Sequence, residues 1–191
     1  MSHVSYGCLM TVDKSQVLRT AATLLTRKAT ASLDEIAKAA GISRATLHRH
    51  FAGRDALIEA LEEMGIARFE AALDAAAIEE GDATGALRRL ITYIEPEAAL
   101  LAFLTTENQL FEGEPHAGWD RLDERMNSLF RRGQESGEFR VDLTAAWCTE
   151  ALYGLVGAAA WAVHAGRIAP RDTEKLIAEL LLGGVRRSME Q

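Results

Sequence analysis

The chain has 191 residues, 48% of them hydrophobic and 26% charged, with three prolines and a formal net charge of −7. That is apolar material for a substantial core in one or two domains of ordinary size, and an acidic total repels nucleic acid unless positive charge is gathered in one place. Two cysteines, Cys8 and Cys148, are too few for a disulfide framework or a zinc cluster, and the uncharged stretch 151–163 falls short of the roughly 20 residues that cross a bilayer.

Residues 1–11 have neither a basic start nor an apolar run long enough for a signal peptide, so they are expected to form a disordered leader of a soluble, cytoplasmic protein, with Met10 as an alternative start. Asp13 and Gln16 then offer a cap for a first helix. Its apolar stripe is Val17, Leu18, Ala21, Leu24 and Leu25, and it ends in the basic Arg27 and Lys28. Ser32 followed by Glu35 is a capping box, which starts a second helix with Leu33, Ile36, Ala37 and Ala40 on one face. Gly41 supplies the left-handed residue that ends it. Ile42 plugs the corner, and Ser43 caps a third, short helix whose Leu47 and Phe51 point inward. At about 100° per residue, Ala45, Thr46, His48 and Arg49 then lie on the outward face. This is a helix-turn-helix pattern, and such a face suits a DNA major groove. The charge balance agrees: residues 13–60 carry eight Lys/Arg against five Asp/Glu, whereas 61–191 carry 13 against 23.

Residues 13–60 resemble the DNA-binding domain of the TetR family of transcriptional regulators. The match lies at Ile36, Ala37, Ala40, Gly41, Ile42, Ser43, Thr46, Leu47, His50, Phe51 and Leu57. It departs at His48, where the family most often has a tyrosine on a phosphate, and at Gly53, which replaces a commoner serine cap. Side-chain chemistry assigns Arg44, Ala45, Thr46 and Arg49 to base edges and phosphate, and Ser32, His48, His50 and Arg54 to phosphates, with His50 alternatively packed on Phe51.

Past residue 60, the turn residues at 80–85 close the long helix opened at Arg54, and Pro96 breaks or bends the middle segment. Residues 112–118 separate it from a helix carrying Trp119, Leu122, Met126 and Phe130. A connection follows at 133–142, then an apolar helix over 143–164, a break at 165–170 and a last helix. The expected fold is all-α: an N-terminal three-helix helix-turn-helix DNA-binding domain over 12–60, followed by an about six-helix ligand-binding and dimerisation domain over 61–191.

The last two helices are apolar on more sides than one neighbour can cover. Leu152, Leu155, Val156, Ala159, Leu176, Ile177, Leu180, Leu181 and Gly184 are therefore candidate homodimer contacts, the alternative being that both helices complete a monomeric core. The resemblance implies the former, a symmetric four-helix interface, and with it a palindromic double-stranded operator. It also implies a pocket for a small-molecule effector in the acidic half. Lining candidates are Phe69, Leu73, Leu100, Phe103, Leu104, Glu107, Phe111, Trp119, Met126, Phe130, Trp147, Tyr153 and Trp161, each of which has ordinary core packing as its plain alternative. Glu107 among aromatics suits a cationic or hydrogen-bonding ligand, unless it is simply solvated.

No phosphate-cradling glycine motif, metal-spaced His/Cys set or nucleophile with a recognisable base occurs, so neither an enzyme nor a cofactor nor a metal is expected. His48 and His50, the closest histidine pair, stand about 200° apart on the helix. The leading reading is a repressor released from its operator by a small ligand. A DNA-binding regulator without such an inducer, and a helical interaction protein that does not bind DNA, are the alternatives. Operator sequence, regulated genes, inducer, and repression versus activation are not written in the residues.

Overall fold

A computed structural model describes residues 13–108 and 117–186, side chains of 105–108 excepted. The chain forms α1 (Lys14–Arg27), α2 (Leu33–Ala39), α3 (Arg44–His50), α4 (Arg54–Ala75), α5 (Ala83–Ile94), α6 (Ala98–Asn108), α7 (Ala117–Glu135), α8 (Ala145–His164) and α9 (Thr173–Val185). Short 3₁₀ turns, Glu95–Glu97 and Pro170–Asp172, precede α6 and α9. Among the described residues the extended structure is a single bridge between Phe139 and Arg186. The all-α reading holds, with three helices in the head and six beyond it.

Local chemistry sets most helix ends. Asp13 Oδ1 accepts from the Ser15 N–H at 2.9 Å, while Gln16 turns away to accept from Arg19, so the first cap is one-sided. The box at α2 closes both ways: Ser32 Oγ accepts from Glu35 N–H and the Ser32 N–H donates to Glu35 Oε2. Gly41 has φ +68°, the left-handed geometry its position requires. Pro96 sits in the 3₁₀ turn between α5 and α6, where it interrupts the α-helical run without reversing it.

Two boundaries differ from expectation. The long helix stops at Ala75 rather than near 80, because Ala77 adopts φ +45° and Arg89 donates to the freed carbonyls of Ala76, Ala77 and Glu80. Gly133, expected to open a connection, lies buried inside α7: a Cβ there would fall 2.2 Å from Phe139 Cδ2, so the glycine makes room for an aromatic ring. Likewise α7 begins at Ala117 and includes Gly118. Residues 1–11 and the separator at 112–116 lie outside the described residues.

There are two apolar cores. The head core gathers Val17, Leu18, Leu25, Ile36, Leu47, Phe51, Leu57 and Leu61, joined by Leu100, Phe103 and Leu104 of α6. The body core gathers Phe69, Leu73, Leu87, Leu90, Met126, Phe130, Leu152, Val156, Ile177 and Leu181. Trp119 packs against both. Close approach of α4 to α6 depends on Gly65, where an added Cβ would meet Leu104 Cδ1 at 2.1 Å.

Candidate DNA-reading face and effector region

Helix α3 is held from behind and open in front. Leu47 is 1% exposed and Phe51 3%, both locked into the head core, while Arg44, Ala45, His48 and Arg49 are exposed and Thr46 and His50 half-buried. Ser43 Oγ accepts from the Thr46 N–H at 3.1 Å and lies 2.9 Å from Thr46 Oγ1, which fixes the first turn. The two inward residues are four apart, so the helical repeat sends 45, 48 and 49 outward together. The outward face expected from the pattern is therefore assembled as one surface.

Its charges are not all free. The Arg44 guanidinium donates to Asp34 Oδ2 at 2.9 Å, an exposed pair that solvent screens and DNA phosphates can replace. Lys28 Nζ stands 2.6 Å from Glu35 Oε1, and this ammonium, with the Ser32 N–H and hydroxyl, holds the Glu35 carboxyl down at about 2. Ser32 is exposed, yet its hydroxyl is engaged inside the capping box. Lys14 Nζ lies 5.4 Å above the Phe51 ring, and His50 stacks at a tilt on the same ring at 6.3 Å.

Arg54 is placed differently from expectation. Its guanidinium donates to Ala31 O at 2.8 Å and to Ala29 O at 2.6 Å, tying the start of α4 to the α1–α2 connection. Those carbonyls occupy the fork that a phosphate would need. Arg54 thus positions the reading helices, and its charge is not presented as a free phosphate contact.

The effector candidates scatter. Phe69, Leu73, Met126 and Phe130 are solid body core, while Leu100, Phe103 and Leu104 belong to the head core, because α6 turns that stripe toward α1 and α4. Trp147 and Trp161 are 62% and 50% exposed. Phe111 and the side chain of Glu107 lie outside the described residues. Two candidates meet polar partners. Trp119 Nε1 donates to Glu62 Oε1 at 2.8 Å, and Tyr153 Oη donates to Asp123 Oδ1 at 2.9 Å while its ring meets Phe69 edge-on at 5.6 Å. One turn along the same pair of helices, Thr149 Oγ1 donates to Asn127 Oδ1 at 2.9 Å. Burial raises the Asp123 carboxyl above its ordinary value against the lowering bond from Tyr153, and burial together with Asp123 pushes the Tyr153 phenol up. Glu62, Asp123 and Asn127 were not singled out in the sequence, where they read as solvated face. An open cavity of about 340 Å³ lies alongside, with Phe103, Tyr153 and Trp161 in its wall and Gly154 and Gly157 keeping it clear.

The dimer candidates divide as cleanly. Leu152, Val156, Ala159, Ile177 and Leu181 face the chain's own core, so they are spent within one chain. Leu155 is half-buried, and Leu176, Leu180 and Gly184 remain exposed, Leu180 at 65%. Trp147, absent from the interface candidates, is exposed on α8 as well. Cys148 is buried as a packed thiol, its pKa raised by burial.

The model of bacterial regulatory proteins of the tetR family matches residues 17–61, from α1 into α4. Over 172 residues the chain is 33% identical to the HTH-type transcriptional regulator NfxB of Pseudomonas aeruginosa, covering 88% of this chain and 92% of that one. The chain belongs to the TetR family. This TetR-family chain is a DNA-binding transcriptional regulator and not an enzyme. Among solved structures it is similar to the TetR-like regulator LfrR from Mycobacterium smegmatis in complex with proflavine. That pair has TM-score 0.72 and 25% identity, with 91% of this chain and 96% of LfrR covered. It is similar also to the TetR family regulator PfmR from Thermus thermophilus, with TM-score 0.64, 26% identity, and 93% and 100% coverage. No described helix is long and apolar enough to cross a membrane.

Proposed function

We propose that this regulator is a homodimeric repressor that reads a palindromic operator with α3 and leaves it when a small molecule occupies the body. The observation that carries the reading is the α3 surface, where Arg44, Ala45, His48 and Arg49 are exposed together on a helix anchored by Leu47 and Phe51. Arg44 and Arg49 have the fork that reads guanine or phosphate, Ala45 and Thr46 suit thymine methyls or base edges, and His48 and His50 suit phosphates. The exposed apolar surface of Leu176, Leu180 and Gly184 on α9, with Leu155 and Trp147 on α8, supports the two-fold pairing that gives the protein two such helices.

Release requires a ligand that favours a DNA-incompetent arrangement, by about 5.5 kcal/mol to swing occupancy from nearly full to nearly empty. The path is short: α4 runs unbroken from the head to the body, and α6 contributes to the head core. LfrR holds proflavine, and here the Glu62, Asp123 and Tyr153 groups beside Phe69 and Trp119 favour an aromatic ligand bearing positive charge or hydrogen-bond donors. The test is selection of DNA from random duplexes, followed by fluorescence anisotropy on the selected site with and without a panel of aromatic cations. The expected outcome is a two-fold symmetric site, salt-dependent binding, and release by at least one compound. A site bound tightly but released by none would favour a regulator without a small inducer.

A further inference from the structure

At the seam between head and body, a cavity of about 250 Å³ is walled by residues from four parts of the chain. Thr26 and Arg27 come from the end of α1, Glu95 from the 3₁₀ turn before α6, His164 from the end of α8 and Thr173 from the start of α9; alanine, valine and proline side chains fill in most of the rest. Thr173 is 2% exposed and its hydroxyl has no hydrogen-bond partner among the described residues. A buried hydroxyl without a partner is costly, and valine would fill the same space without that cost.

The charges on the walls point the same way. Arg27 and Glu95 line one small cavity, yet they form no ion pair with each other or with any other described residue. A cation and an anion held apart across a gap match a ligand carrying both signs. Thr26 spends its proton on the carbonyls of Ala22 at 2.9 Å and Ala99 at 2.8 Å, so toward the cavity its oxygen acts as an acceptor. The volume corresponds to about eight liquid waters and lies below the roughly 300–1,000 Å³ of drug-sized sites, which limits the occupant to a small molecule.

We propose that this seam binds a small zwitterion of the free α-amino acid class. Its carboxylate meets Arg27 and accepts from the Thr173 hydroxyl, and its ammonium meets Glu95 and the Thr26 oxygen. The occupant bridges α1 of the head to α6, α8 and α9 of the body, so it pins the head at the point where Thr26 already donates to Ala99. This site is separate from the Glu62 and Asp123 groups between α4, α7 and α8, and its occupancy is read without DNA.

The experiment is a thermal-shift and titration-calorimetry screen of the full chain against the standard free α-amino acids, with acetate and methylamine as single-charge controls. At least one amino acid is expected to raise the melting temperature saturably while neither control does. Thr173→Val is expected to melt no lower than the wild type when free, because the lost hydroxyl has no partner, and to bind that amino acid about tenfold or more weakly. Arg27→Gln is expected to weaken binding similarly. No response to any amino acid, an equal response to acetate alone, or unchanged affinity in both variants would overturn the proposal.

Discussion

Replacing Arg54 with alanine separates two roles that the sequence alone leaves equivalent. In the folded chain the guanidinium donates to Ala31 O at 2.8 Å in a partly buried setting and to Ala29 O at 2.6 Å in an exposed one. A hydrogen bond from a charged donor contributes about 1.5–3 kcal/mol when shielded and less in water, so the pair amounts to about 2–3 kcal/mol. For a chain of this size, that lowers the melting temperature by about 5–10 °C. Arg54→Lys should recover little of it, since one ammonium cannot span two carbonyls as a planar fork does. The assay is thermal unfolding by circular dichroism, paired with anisotropy on operator DNA across a salt series well below the melting point. A positioning role predicts a lower melting temperature and an unchanged slope of log affinity against log salt. A phosphate contact predicts the reverse, with the slope smaller by about one. An unchanged melting temperature with a reduced slope would refute the clamp.

Four further outcomes follow from the same geometry. Asp34→Asn frees Arg44 from its exposed partner and should tighten operator binding by up to about fivefold, measured by anisotropy at low salt. Arg49→Ala should weaken operator binding, and Arg44→Ala should also change the base preference of selected sites. Leu180→Glu should yield a folded monomer by light scattering, whereas Leu181→Glu, one residue on but 3% exposed, should unfold the chain, as seen by circular dichroism. Glu138 loses some of its basicity to its surroundings: burial alone would raise its pKa, but the Thr84 and Ala83 N–H groups, with the Thr84 and Ser136 hydroxyls, bring it to about 2 from an ordinary 4.5. The ionised group binds the start of α5 more tightly than its protonated form. Its contribution is therefore fully present above pH 4.5 and disappears as pH falls through about 2. Glu138→Gln should be less stable at neutral pH, with a shallower acid limb in urea unfolding across that window.

The reading head was legible because its signals are local. A capping box needs residues three apart, a left-handed terminus needs one glycine, and an inward pair at Leu47 and Phe51 decides which neighbours face out; each acts within one helical turn, so Ser32, Gly41 and Ser43 could be read in order along the chain. Helix count and all-α class follow from the same short-range periodicity. Tertiary structure alone decided what each stripe packs against. Apolar spacing marks Leu100, Phe103 and Leu104 as buried but carries no address, and they proved to complete the head core rather than a pocket wall. The wide apolar faces of α8 and α9 likewise split into a core side and an open side only once their neighbours were in place. Polar groups show the same limit most sharply. A guanidinium has no preferred partner in sequence, and Arg54 meets the carbonyls of residues 23 and 25 positions away because the fold brings that connection to the start of α4.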